Sequence, residues 1–168
     1  ETIRPVRGIG SQHELLLVQT QFNGREAVVL TTDSPQRNRR IDLNFVHPVK
    51  ELLWAYVPDA PPAAARHDPL FAYEAAFDAV RLVVNGSERF TGARPASYFT
   101  QVQPWQHHSR CPAKPIYVYS FGLQPDNPTQ PSGALNFSKL SSASIYYTLT
   151  PPDGSTGKLY VFALGYNV

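Results

Sequence analysis

Alternation of apolar and polar positions governs most of this chain, and a period of two belongs to strands, not helices. It runs through "EAVVLTT" (26–32), "AVRLVVNG" (79–86), "PIYVYSFGL" (115–123), "SASIYYTLT" (142–150) and "KLYVFALGYNV" (158–168), all rich in β-branched and aromatic residues. Sixteen prolines lie among the 168 residues, twice the usual share of about 5%. They are spread between the apolar runs, so they separate strands and leave little room for long helices.

Eight strands are predicted. Residues 13–22 and 26–32 pair as a hairpin across Asn23–Gly24, since Asn-Gly supplies the positive φ angles of a tight turn. Residues 41–57 form one long strand that bends, or lies at an edge, at Pro48, which lacks a ladder donor. Residues 79–86 end in a second Asn-Gly turn, and 115–123, 133–140, 142–150 and 158–168 complete the set. One helix is predicted, over 69–80. The expected fold is all-β: an eight-stranded antiparallel jelly-roll sandwich in a single domain, 1–168, with long excursions at 58–78 and 91–114 and at most short helices. No internal repeat is visible.

The last strand departs from the usual sandwich pattern. One face carries Tyr160, Phe162, Leu164 and Tyr166; the other carries Leu159, Val161, Ala163 and Gly165, also apolar. A free antiparallel sandwich normally turns a polar face to water. A neighbouring domain or subunit is therefore expected over its outer face.

Several function classes are disfavoured. The net charge is +2, too balanced for an electrostatic footprint on nucleic acid, and Arg37, Arg39 and Arg40 of "QRNRR" read as a solvated loop. No apolar run reaches the ~20 residues of a membrane-crossing helix. The single Cys111 cannot form an internal disulfide, which fits a reducing compartment. The chain contains no Met, and it is read as a piece of a longer polypeptide.

Catalytic signatures are weak. "QPWQHHSRC" offers His107, His108 and Cys111, but adjacent histidines on an extended segment point to opposite sides, and no second ligand pair accompanies them. His13, His47 and His67 are isolated. There is no G-x-S-x-G, no phosphate loop, and no motif pairing Asp42, Glu51, Asp59, Asp68 or Asp78. The sequons at Asn85 and Asn136 read as chance. No catalytic residue, metal or cofactor is assigned. A carbohydrate-binding jelly roll using Trp105 and Tyr98 is the alternative non-enzymatic reading.

Four strings in order, "NFVHPVKELLWAYV", "LVVNGSERF", "YFTQVQPWQHHSRCP" and "IYVYSFGLQPDNPTQPSGALNFSKL", resemble the C-terminal jelly roll of the major capsid proteins of nucleocytoplasmic large DNA viruses. The resemblance covers about residues 41–168. It implies a structural, non-enzymatic tile: the second half of a double jelly-roll subunit that forms homotrimers, pseudo-hexagonal capsomers and an icosahedral shell. Its implied partners are the N-terminal jelly roll of the same subunit, neighbouring capsomers and minor capsid proteins. No direct contact with nucleic acid and no membrane insertion are implied. The implied location is the virion capsid, assembled in the host cytoplasm. The residues carried over are structural: His47, Pro48, Val49 and Lys50 in one strand, and Asn85, Gly86, Arg89 and Phe90 at a turn. Pro131, Ser132 and Gly133 form a second turn, and Asn136, Phe137 and Ser138 open the strand after it. Gly133 is expected to need a positive φ.

Overall fold

The computed structural model describes residues 6–7, 13–14, 17–28, 39–59, 73, 75–127, 131–149 and 156–167. Twelve strands are described: β1 (Val6–Arg7), β2 (His13–Glu14), β3 (Leu17–Val28), β4 (Arg39–Asp42), β5 (Pro48–Pro58), β6 (Phe77–Val84), β7 (Ser87–Glu88), β8 (Arg94–Pro95), β9 (Tyr117–Ser120), β10 (Leu135–Asn136), β11 (Ala143–Leu149) and β12 (Gly157–Asn167). β1 and β2 pair with each other. The rest form two antiparallel sheets. Sheet I runs β3–β12–β5, with β9 and β10 sharing the far edge of β5; sheet II runs β4–β11–β6, with β7 and β8 sharing the far edge of β6. Counting each shared edge as one strand gives two layers of four in jelly-roll order, as expected.

The alternation explains the packing. From β12, Leu159, Val161 and Ala163 point inward; from β11, Ile145, Tyr147 and Leu149; from β5, Leu52, Trp54 and Tyr56. Aromatic rings join the layers: Phe77 of sheet II meets Tyr117 of sheet I edge-on at 4.6 Å and Tyr147 of its own sheet at 5.6 Å, while Trp54 of sheet I meets Phe99 of the 91–114 excursion at 5.1 Å. Rings of this size bring large apolar areas into contact across the sandwich.

Four sequence expectations are corrected. The hairpin at Asn23–Gly24 is absent: both residues lie inside the continuous β3. The ladder with β12 steps from Phe22↔Phe162 to Arg25↔Tyr160, so Asn23 and Gly24 bulge opposite Val161. The strand 41–57 is divided. β4 belongs to sheet II and β5 to sheet I, and the chain crosses between them through His47, whose φ of +66° turns the backbone where Pro48 begins β5. Within the helix expected at 69–80, Phe77–Val80 are strand, and most of the remainder lies outside the described residues. Residues 133–140 narrow to the two-residue β10, followed by a 3₁₀ turn at Phe137–Lys139.

Two smaller differences concern loops. Arg39 and Arg40 begin β4 instead of lying in a loop, while Arg37 lies outside the described residues, as do residues 29–32 of the expected hairpin. The 91–114 excursion contains a π-helical turn, Tyr98–Val102, running into helix α1 (Gln103–His107), with Pro104 in its first turn.

The crossing segment is held by side chains that imitate a strand. The Asn23 amide donates to the Asp42 carbonyl (2.9 Å) and accepts from the Asn44 N–H (2.8 Å). Gln21, on the same face of β3, donates to the Val46 carbonyl and accepts from the Val46 N–H (2.9 Å). Between them, Leu43 and Phe45 are buried. These bonds satisfy backbone groups that have left the sheet II ladder.

Candidate functional site

Several of the quoted strings meet near the start of β5. The His47 N–H donates to Ser138 Oγ (2.8 Å), its carbonyl accepts from the Phe137 N–H (3.0 Å), and Asn136 Oδ1 caps the Ser138 N–H (3.1 Å). Asn136 stands opposite Pro48 in the β10–β5 ladder. One turn therefore fixes the entry of the chain into sheet I.

Lys50 fixes the neighbouring loop. It sits at a register step between Gly165↔Val49 and Leu164↔Glu51, and its carbonyl accepts from the N–H groups of Phe121 (2.8 Å) and Gly122 (3.3 Å). Its buried ammonium donates to the Pro125 carbonyl (2.6 Å) and lies 5.7 Å from the Tyr166 ring centre. Burial pushes this lysine's pKa down, and the Glu51 and Asp126 carboxylates oppose that. Gly122 and Gly133 stand back to back: a Cβ on Gly122 would meet the Gly133 carbonyl at 2.8 Å, and one on Gly133 the Phe121 carbonyl at 3.1 Å. Gly133 has φ +139°, outside the range that side chains favour. Ser132 Oγ accepts from the Gln124 N–H (2.8 Å), which ties the Pro131–Ser132–Gly133 segment across the loop.

The Asn85–Gly86 pair has φ values of +50° and +77°, a type I′ geometry joining β6 to β7. Asn85 Oδ1 accepts from the Ser141 N–H (2.9 Å) and Ser141 Oγ (3.0 Å). Arg89 Nε donates to Tyr119 OH (3.1 Å), and the Phe90 ring packs among Tyr98, Phe99 and Tyr119.

His107 and His108 have separate tasks. His107 Nδ1 donates to the Leu123 carbonyl (3.0 Å). His108 stands between two carboxylates, with Nε2 2.9 Å from Glu51 and Nδ1 2.8 Å from Asp126. The Glu51 carboxylate is the main reason its pKa lies above the ordinary imidazole range, against the opposing effect of burial. Among the described residues, no three His, Cys, Asp or Glu side chains are grouped to hold a metal. Trp105 is 78% exposed. Tyr98 accepts from Gln103 Nε2 (3.0 Å) and lies under Arg94, so the two rings of the carbohydrate reading have different environments.

The outward faces of the sheets carry the main functional signal. On sheet I the registers align Phe22, Phe162, Leu53 and Val118 in one row across β3, β12, β5 and β9. Phe22 stacks on Phe162 at 4.9 Å and on Tyr160 at 6.0 Å. Exposure falls along the row from Phe22 (48%) through the partly buried Phe162 and Leu53 to the buried Val118, and Val18 on the same strand as Phe22 is 53% exposed. On sheet II the matching row is Arg40, Tyr146 and Arg81, with the guanidinium carbons 5.9 and 4.8 Å from the ring centre. Arg81 pairs with Glu88 at 2.9 Å, and Asp42 accepts from Ser144 Oγ (2.7 Å) and from Arg40. The Ser144 hydroxyl, with Arg40 second, holds the Asp42 carboxyl below the usual range. Side chains on this face satisfy one another and tolerate water; the outward row of sheet I has only apolar contacts to offer.

At the far edge of β5, the helical segment covers β9. Gln103 Oε1 accepts from the Ser120 N–H (3.0 Å), blunting an edge that would otherwise present an unpaired donor.

Comparison with known proteins identifies the setting. The family described as large eukaryotic DNA virus major capsid protein matches residues 7–168. A major capsid protein of Pyramimonas orientalis virus is 35% identical over 179 aligned residues, covering 93% of this chain and 40% of the relative. Among solved structures, the PBCV-1 virus capsid quasi-atomic model superposes with a TM-score of 0.67 at 26% identity, over 90% of this chain and 48% of that one. The Faustovirus major capsid protein, at 16% identity, shares the fold with a TM-score of 0.65, over 91% of this chain and 33% of its own. The chain thus spans less than half the length of these relatives.

Proposed function

The chain belongs to the major capsid protein family of large eukaryotic DNA viruses, and on that premise we propose that it is one jelly roll of a longer, double jelly-roll capsid subunit. The family role is structural and non-enzymatic. In this reading the subunit forms homotrimeric, pseudo-hexagonal capsomers, which contact neighbouring capsomers and minor capsid proteins after assembly in the host cytoplasm. The subunit neither binds nucleic acid directly nor enters the membrane.

The observation that carries this reading is the apolar patch on the outside of sheet I, where Phe22 is 48% exposed and Phe162 and Leu53 are partly buried beside it, while Val118 at the end of the row is already covered. A sandwich that stood alone would lose stability by leaving such a patch to water, since burying one large apolar side chain contributes about 1.5–3 kcal/mol. The chain covers only 40% and 48% of its relatives, which supports assigning this face to the N-terminal jelly roll of the same subunit. Obligate contacts of about 2,000 Å² or more are built from surface of this kind.

Multi-angle light scattering of the full-length subunit provides the test. A trimer is expected. In the Phe22→Asp/Phe162→Asp double variant, loss of the folded subunit or of the trimer is expected as well. A wild-type monomer that persists at high concentration, or a double variant that assembles normally, would overturn the reading.

A further inference from the structure

We propose that His108 is a protonation-dependent latch: as an imidazolium it fastens the 121–127 loop to β5, and on losing its proton it releases that loop. The geometry demands the charged ring. Nε2 lies 2.9 Å from Glu51 Oε2 and Nδ1 lies 2.8 Å from Asp126 Oδ1. A neutral imidazole has one N–H, so one of its nitrogens would set a lone pair against a carboxylate lone pair. The doubly protonated ring donates from Nδ1 to Asp126 and sets its positive charge 2.9 Å from Glu51, an ion pair whose Nε2 and Oε2 are buried without hydrogen-bond alignment or another partner. The Glu51 side chain is 4% exposed, so it has little water to replace a lost partner.

The surroundings make His108 the member that switches. From β5, Lys50 faces the cluster, but its ammonium is committed to the Pro125 carbonyl. From α1, His107 is turned to the Leu123 carbonyl. The loop contributes Asp126, whose side chain is half exposed, and β12 contributes Tyr166 beside Lys50. Imidazole is the group here whose ordinary range lies nearest neutral pH. Its shift is upward, so the sign follows. The stabilisation is fully present below the unfolded-state value of about 6.5 and is lost as pH rises through the higher folded-state value. Glu51 is also the neighbour of Leu164 across the sheet, which places the latch beside the apolar face of sheet I. The loop it holds carries Leu123, 72% exposed.

Hydrogen–deuterium exchange on the full-length subunit between about pH 6 and 9, spanning the ordinary imidazole range, tests the latch once intrinsic exchange rates are divided out. The reporters are the N–H groups of Phe121 and Gly122, bonded to the Lys50 carbonyl, and that of Asn127, bonded to the Gln124 carbonyl. Their protection is expected to fall about tenfold as His108 deprotonates and one charge-assisted contact is lost. In His108→Gln, protection is expected to be low and flat with pH. In Asp126→Asn, at the half-exposed end, the fall is expected at lower pH. One shared pH profile for the wild type and Asp126→Asn overturns the latch. So does a His108 ring that titrates by NMR at or below about 6.5. If His108→Gln does not fold, these last two measurements decide alone.

Discussion

The outer faces of the two sheets are built on the same strand period and the same inward packing, yet they meet their surroundings in opposite ways. Sheet II places Arg40, Tyr146 and Arg81 side by side, with Asp42 and Glu88 pairing the cations. Sheet I places Phe22, Phe162, Leu53 and Val118 in the equivalent direction, with ring stacking as the contact between the two phenylalanines. The inner faces say only that the chain makes a sandwich. The difference between the outer faces is that one side is satisfied by its own charged and polar pairs, while the other leaves apolar side chains exposed, as the proposed cover by the rest of the subunit requires.

Disturbing the register that aligns the apolar row is expected to have the largest effect. Gly165 lies against the Pro48 carbonyl and Val49 Cα, both backbone, where a Cβ would overlap them. Gly165→Val is expected to destabilise the subunit by about 3 kcal/mol or more, read by chemical denaturation; an unchanged midpoint would show that β5 and β12 can slide apart there. Next, Phe162→Asp in the full-length subunit is expected to remove about 2–3 kcal/mol, because it buries a carboxylate without a partner. The matching change on sheet II, Tyr146→Ser, is expected to stay within about 1 kcal/mol. Equal effects from the two would erase the distinction between the faces.

Gly133→Val comes third, at about 1–2 kcal/mol, since the β-branched residue must adopt φ +139° beside the Phe121 carbonyl. Normal assembly and stability in this variant would show that the loop is not a rigid frame for sheet I. The smallest effect concerns acid. The Asp42 pKa is lowered, so its contribution is present above the unfolded-state value of about 3.9 and fades as pH falls through the lower folded-state value. An NMR titration of Asp42 in Ser144→Ala is expected to move back toward the ordinary value; no movement would remove the hydroxyl as the cause.

Much of this was legible in the sequence where a strand pairs along its whole length. Residues 142–150 and 158–168 became β11 and β12 nearly as expected, because alternation alone defines a strand buried on one side. Asn85–Gly86 was legible for the same local reason. The identical dipeptide at Asn23–Gly24 was misread, since a bulge and a hairpin turn use the same conformational freedom and only pairing with β12 distinguishes them. The helix expected at 69–80 has a related cause. A register step at Thr148/Leu149 lets Phe77 and Val80 both face inward, and that i, i+3 spacing imitates a helix. The true helical segment, 98–107, was hidden by Pro104, which reads as a breaker but is favourable in a first turn. At the site, the sequence supplied the strings but not their convergence. Nothing local brings His108 to Glu51, 57 positions away, and the Lys50 bond to the Pro125 carbonyl spans 75.

A cryo-EM reconstruction of the particle, at a resolution that shows side chains, tests the central claim most directly. Phe22 and Phe162 are expected to be covered by the remainder of the same subunit, with Phe22 falling from 48% exposure to near zero. Phe22 and Phe162 facing solvent in the assembled shell would contradict it.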